Sequence, residues 1–264
     1  MPRAKRRLGQ HFLTNPRILE RIADALGATA DDTVLEIGPG PGGLTEVLAD
    51  RSGRLVAIEK DADLVPALRQ RVPAAEVIEA DALGADWHAV AGPDFLVAGN
   101  IPYNITSPLI DKALAPPRPR RIVFLVQKEV ADRVGAAPGS EAYGALSVGV
   151  QAVATAERLF TVPAGAFHPR PKVDSAVLRL TPLAEPIVHD EEVEPFRRLV
   201  VGLFGFRRKQ IGRGLRELTG WDAERVGRAL AVAGIAATVR PETVAPAALA
   251  ALLRTLVDGG WAAR

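Results

Sequence analysis

The chain of 264 residues contains no cysteine and a single methionine. Without thiols there are no disulfides, no thiolate zinc sites, no cysteine-ligated iron–sulfur clusters and none of the radical chemistry that depends on such clusters. A bound cofactor must be held by backbone groups, carboxylates and amides, and no metal centre is expected. No apolar run reaches the roughly 20 residues that a membrane-spanning helix needs. No apolar stretch follows the basic residues Arg3, Lys5, Arg6 and Arg7 in the manner of a secretory signal, so the expectation is a cytoplasmic protein.

Acidic residues are missing from two stretches. Residues 1–19 hold Arg3, Lys5, Arg6, Arg7 and Arg17, and residues 197–216 hold Arg197, Arg198, Arg207, Arg208, Lys209, Arg213 and Arg216. Because the formal net charge is only +2, the rest of the chain is net acidic. Two basic patches on an acidic body suit a polyanion held at defined places; the plainer reading is a pair of solvated helix faces.

Hydrophobic residues are plentiful at 48%, enough to bury the core of one large domain and a small one. From Thr33 to Leu180, short runs of Val, Ile and Leu alternate with helical stretches, the pattern of a mainly parallel sheet covered by helices. Candidate strands fall at 34–37, 55–58, 76–78, 95–98 and 122–126, with 144–155 and 175–180 as an antiparallel pair at the sheet edge. A polar stretch with two prolines begins at Thr181 and predicts a boundary. The reading is an α/β, Rossmann-like domain over 1–183 and a small helical domain over 184–264. In the latter, Ile211, Leu215 and Leu218 share one helix face, while Lys209, Arg213 and Arg216 share another.

Leu35-Glu-Ile-Gly38-Pro-Gly40-Pro-Gly-Gly43-Leu-Thr45 places a glycine-rich turn between a strand and a helix. Glycine lets the backbone turn tightly and lets a ligand approach it closely. Glu59 ends the second strand about 20 positions further on, where a carboxylate holds ribose hydroxyls. Nicotinamide dinucleotides and S-adenosylmethionine both satisfy this arrangement. Asp81 follows the third strand, placed either to accept from an adenine amine or to cap a helix.

Asn100-Ile-Pro-Tyr103 comes directly after the strand at 95–98, at the carboxyl end where open sheets bind ligands. An adenine amine is a poor nucleophile, because its lone pair is delocalised into the ring. Two hydrogen-bond acceptors, the Asn100 side-chain oxygen and a neighbouring carbonyl, would direct that lone pair at a sulfonium methyl. Pro102 stiffens the turn, and Tyr103 is placed to stack on the base. Downstream, Phe167-His-Pro-Arg-Pro-Lys172 offers a second ring in Phe167, and Arg170 and Lys172 for phosphate; Phe167 alone reads equally as core.

These stretches, together with Arg7-Leu-Gly-Gln-His-Phe-Leu13, Gln127-Lys-Glu-Val130, Tyr143-Gly-Ala-Leu-Ser147 and Arg207-Arg-Lys209, resemble the ribosomal RNA adenine dimethyltransferase family, in its small-subunit branch. The resemblance runs in order from residue 7 to residue 209. It implies a Rossmann-like S-adenosylmethionine-dependent methyltransferase sheet, and a methyl donor in contact with His11, Leu13, Gly38, Gly40, Glu59, Asp81 and Asn100. It further implies a target base between Tyr103 and Phe167, and RNA held by Arg207, Arg208, Lys209 and Arg213. His11 stands where many relatives have asparagine. The expected partner is small-subunit RNA in a partly assembled 30S subunit, met by a monomer. The competing readings are a large-subunit adenine methyltransferase conferring macrolide resistance, a nicotinamide oxidoreductase, and a non-catalytic RNA-binding assembly factor on the same fold.

Overall fold

The structure is a computed structural model that describes residues 4, 5 and 8–262. The chain forms two compact units, Met1–Ala131 with Ala156–Pro182, and Asp132–Thr155 with Leu183–Arg264. Arg3, Arg6 and Arg7, three members of the N-terminal basic stretch, lie outside the described residues.

In the first unit the order is β1 (Phe12–Leu13), α1 (Pro16–Leu26), β2 (Thr33–Ile37), α2 (Gly43–Ala49), β3 (Arg54–Glu59), α3 (Val65–Arg71), β4 (Ala75–Glu79), α4 (Trp87–Ala91), β5 (Leu96–Asn100), α5 (Thr106–Ala113) and β6 (Arg121–Gln127). After α6 (Lys128–Val134) and α7 (Ala145–Gln151) come β7 (Ala154–Val162), β8 (Phe167–His168) and β9 (Ser175–Pro182). The seven-stranded sheet has the order β4-β3-β2-β5-β6-β9-β7. Its first five strands are parallel, and β9 runs antiparallel to β6. Central parallel strands are covered on both faces, so their sequences are continuously apolar rather than alternating. Every residue from Ile122 to Val126 is fully buried.

Local signals start and stop these elements. Asn15 accepts from the backbone N–H groups of Arg17 and Ile18 at 3.0 and 3.4 Å, Pro16 stands at the first helical position, and Gly27 closes α1 in the left-handed region. Between those caps Leu19, Ile22, Ala23 and Leu26 form the buried face, following the helical period. Each of the three large side chains contributes about 1.5–3 kcal/mol by burial.

Strand register sets the site. Ile37 pairs with Ile58 on one side and Gly99 on the other, so the residues that follow them, Gly38, Glu59 and Asn100, emerge at one level of the sheet's carboxyl edge. Gly99 cannot be larger: a Cβ there would stand 2.5 Å from the Ile37 carbonyl oxygen.

In two places the structure departs from the sequence pattern. Residues 144–155, whose β-branched residues read as a strand, contain the helix α7. Ser147 accepts from the Gly144 N–H at 3.0 Å and donates to the Arg133 carbonyl at 2.5 Å, closing the first turn. The strand starts only at Ala154, and β9 pairs with β6 as well as adjoining β7. Second, residues 132–155 belong with the helical unit rather than with the sheet, because a helix with buried Val148 and Val150 packs on other helices.

That second unit otherwise consists of α8 (Val193–Gly205), α9 (Ile211–Thr219), α10 (Ala223–Val232) and α11 (Pro246–Asp258). Tyr143, fully buried, donates to the Val244 carbonyl at 2.9 Å and meets Phe204 edge-on. Among the described residues no helix is long and apolar enough to cross a membrane.

Candidate active site

The carboxyl edge of the sheet opens into a cleft with ≈ 1120 Å³ of non-atom space, its open mouth included. Its walls are the segment from Leu8 to Leu13, the turn from Glu36 to Pro41 with Gly43 and Leu44, Glu59 and Lys60, the stretch from Ala80 to Ala82, and the stretch from Asn100 to Ile105. All the residues assigned from sequence to the methyl donor therefore line one space, namely His11, Leu13, Gly38, Gly40, Glu59, Asp81 and Asn100, and Pro102 and Tyr103 line it too.

The glycine turn is built as its residue types require. Gly38 and Gly40 have φ of 68° and 57°, a region that side chains disfavour. A Cβ on Gly40 would come within 3.2 Å of the Phe12 ring. Glu59, 5% exposed, accepts from the N–H groups of Gly40 at 2.9 Å and Asp61 at 2.7 Å. Burial pushes its carboxyl up, against the downward pull of the Asp61 and Gly40 amides. Asp81 accepts from the Leu83 N–H at 3.1 Å and from Lys60 Nζ at 2.5 Å; it caps a turn and still faces the cleft.

Glu36, to which the sequence analysis gives no role, is 1% exposed and lines the cleft. Its Oε2 has no hydrogen-bond partner among the described residues. Burial raises its pKa to about 8, and the nearby Glu59 charge adds to the effect. A carboxylate inside the otherwise apolar run Val34–Ile37 was the available signal, since such a residue has to be satisfied by something.

At the reaction motif, Asn100 Nδ2 donates to the His11 carbonyl at 2.8 Å. That bond commits the nitrogen end of the carboxamide and leaves Oδ1 as the acceptor end of a side chain that lines the cleft. The Pro102 carbonyl is taken by the Ile105 N–H at 3.1 Å and the Thr106 hydroxyl at 3.2 Å, and the neighbouring Ile101 lines the cleft. The Tyr103 hydroxyl shares a 2.7 Å hydrogen bond with Ser175 Oγ, and burial raises its pKa. The His11 ring stacks on Tyr103, centroids 5.4 Å apart at 25°, while His11 Nδ1 lies 2.7 Å from the Pro169 carbonyl.

Phe167 is not brought against Tyr103. It pairs with Leu13 across the β1–β8 bridge, is 5% exposed and packs in the main core with Leu19 and Val162. Its pairing with Leu13 and its burial make it a core residue here, and it does not line the cleft. Arg170 and Lys172 stand exposed in the loop after it.

The basic residues of the second unit also differ from the helical face expected of them. Arg207, Arg208 and Lys209 form the turn between α8 and α9, not the helix itself. Arg207 donates to the Glu141 carbonyl at 2.9 Å, and Lys209 lies 3.6 Å from Glu217 and 4.8 Å from the Phe206 ring centroid. Arg197 and Arg198 pair with Glu194. Arg208, Arg213 and Arg216 remain exposed.

A glycine-rich turn, a ribose-type carboxylate and an Asn-x-Pro-Tyr turn on one edge of a mostly parallel sheet define an adenine-directed methyltransferase site on a Rossmann-like fold. The solved structures agree. A dimethyladenosine transferase from Plasmodium falciparum superposes with a TM-score of 0.82 at 26% identity, covering 95% of this chain and 99% of that one. The 23S rRNA methyltransferase ErmE gives 0.72 at 31% identity, covering 93% and 99%. The chain belongs to the ribosomal RNA adenine dimethylase family, which matches residues 1–240. Among its relatives, ribosomal RNA small subunit methyltransferase A of Geobacter metallireducens is 43% identical over 98% of this chain and 97% of its own length. The protein of the same name in Acidobacterium capsulatum is 43% identical over 96% and 92%.

Proposed function

We propose that this chain transfers methyl groups from S-adenosylmethionine to the N6 amines of two adjacent adenines near the 3′ end of small-subunit (16S) ribosomal RNA, giving N6,N6-dimethyladenosines during ribosome biogenesis. The observation that carries this reading is the Asn100 carboxamide, which lines the cleft with its nitrogen committed to the His11 carbonyl. S-adenosylmethionine supplies, when bound, a methyl group already activated on a sulfonium centre. Its fit is supported by Glu36 Oε2, a buried unpartnered acceptor suited to a ligand rich in donors, and by the open backbone of the glycine turn.

In this reading Glu59 holds the ribose hydroxyls, Asp81 accepts from the adenine of the donor, and Gly38 and Gly40 let the ligand approach the backbone. His11 and Leu13 close the wall opposite. Asn100 Oδ1 and the Ile101 carbonyl accept both N–H bonds of the target amine and aim its lone pair. Tyr103 stacks on the target base, a contact worth about 1–3 kcal/mol. Catalysis is then positioning of two bound reactants. The exposed cations Arg170, Lys172, Arg207, Arg208 and Arg213, with the half-buried Lys209, hold RNA phosphate, which makes the helical residues 184–264 an RNA-binding region. The protein acts in the cytoplasm, as a monomer on a partly assembled 30S subunit.

The small-subunit substrate is favoured over the large-subunit one because full-length relatives near 43% identity carry the small-subunit name, against 31% for the 23S enzyme. A purely structural role on the same fold does not account for an acceptor pair kept intact at Asn100. The test is incubation with labelled S-adenosylmethionine and immature small subunits or naked ribosomal RNA, followed by mapping. Dimethyladenines in the 3′-terminal hairpin of small-subunit RNA are expected. Label in large-subunit RNA alone, or binding without transfer to any RNA, contradicts the proposal.

A further inference from the structure

The wall of the cleft formed by residues 8–13 is held from three directions. Phe12 and Leu13 pair with β8, the His11 carbonyl accepts from Asn100, and Gln10 is tied to the loop that follows β3. At that third point the bonds close a ring. The Lys5 backbone N–H donates to Gln10 Oε1 at 2.7 Å, Gln10 Nε2 donates to Asp61 Oδ2 at 2.9 Å, and Lys5 Nζ donates to Asp61 Oδ1. Asp61 is 3% exposed, and its own N–H donates to Glu59 Oε1.

A carboxylate so deeply buried is tolerated only when its lone pairs are matched. Burial pushes the Asp61 carboxyl up, but the hydrogen bonds from Lys5, Gln10 and the Asp63 N–H outweigh it and leave the group below the usual carboxylate range. Its side-chain partners in that ring come from the N-terminal segment, so Asp61 is fully satisfied only while Lys5 and Gln10 stay docked. The same docking places the His11 carbonyl on Asn100, whose orientation depends on it.

Resting on the reaction proposed above, we infer that Asp61 is a positioning residue for methyl transfer: through Gln10 and Lys5 it latches residues 8–13 against the loop that follows Glu59, and so keeps the His11 carbonyl where it fixes the Asn100 carboxamide. The latch links the ribose side of the cleft to the acceptor side through one backbone segment, although Asp61 itself does not line the cleft.

Hydrogen exchange of the ligand-free full chain tests the latch without any catalysis. Asp61→Asn keeps the shape but replaces one of the two acceptor oxygens with a donor, so either Lys5 or Gln10 loses its acceptor; amides of residues 10–13 should exchange about tenfold faster, with β2, β5 and β6 unchanged. Lys5→Met and Gln10→Ala, both at less buried positions, should give the same local effect and carry the test if Asp61→Asn does not fold. Lys5→Arg should restore wild-type exchange. In methyl transfer, Asp61→Asn should lower kcat and raise KM for S-adenosylmethionine, and adding Gln10→Ala should cause no further loss, because the two act through one contact. Unchanged exchange at residues 10–13, or losses that add in the double variant, overturns the inference. A wild-type protein that methylates no RNA would instead refute the proposed reaction, while the exchange comparison still decides the latch.

Discussion

The cleft of the first unit and the basic turn of the second hold their polar groups under opposite conditions. In the cleft and just behind it, Glu36, Glu59 and Asp61 are each no more than 5% exposed, and Glu59, Asp61 and Asn100 have fixed partners at 2.7–3.2 Å. Around α9, Arg208, Arg213 and Arg216 stand in solvent. Buried groups with fixed partners set geometry and cannot be removed singly without leaving another group unmatched. Exposed cations contribute charge that is additive, screened by salt and tolerant of small displacements. One region is therefore built for orientation and the other for attraction.

The comparison can be broken most severely at Phe167, which packs in the core, and at Asn100, to which the proposed reaction gives the chemistry. Phe167→Ala should cost about 3–5 kcal/mol of unfolding free energy, the usual loss for a buried ring, measured by denaturant titration. A stable variant that fails only in RNA affinity would return Phe167 to the base. Asn100→Ala should lower kcat by about 10²–10³-fold, comparable to loss of one preorganised transition-state hydrogen bond, while unfolding stability falls only by about 1 kcal/mol for the lost bond to the His11 carbonyl. A loss of stability with transfer intact would reverse the assignment.

Smaller but sharper is the pH dependence of Glu36. Its pKa is raised in the folded state to about 8 from a model-peptide value of 4.5, so the folded chain binds more protons than the unfolded one between those values. The stabilisation is complete below pH 4.5 and is lost as pH rises toward 8, at up to about 1.4 kcal/mol per pH unit. Glu36→Gln cannot ionise. The stability difference between wild type and variant, without ligand, should therefore drift in the variant's favour from pH 5 to pH 8, a window inside that span. Parallel stability curves would mean that Glu36 is not desolvated as described.

Much of this was legible in the residues. The five parallel strands follow from apolar runs, and the cleft from a glycine turn, an acidic residue and the Asn100–Tyr103 turn, all at carboxyl ends of strands. The helix α7 was not legible, because Val148 and Val150 alternate like a strand and the Ser147 cap acts through Arg133, distant in sequence. Phe167 was ambiguous for the same reason, since its role depends on pairing with Leu13. The latch at Asp61 joins residues 51 and 56 positions apart, which local pattern does not show.

The central claim is that orientation and attraction are separable, and binding measured side by side tests it most directly. Affinities for S-adenosylmethionine and for small-subunit RNA should be determined for Glu59→Ala and for a variant with Arg208, Arg213 and Arg216 each changed to Glu. The account predicts that Glu59→Ala loses S-adenosylmethionine affinity and keeps RNA affinity. The charge-reversed protein should do the opposite, its log–log salt slope for RNA falling by roughly one unit per lost phosphate contact. Equal loss of both ligands in either variant would contradict it.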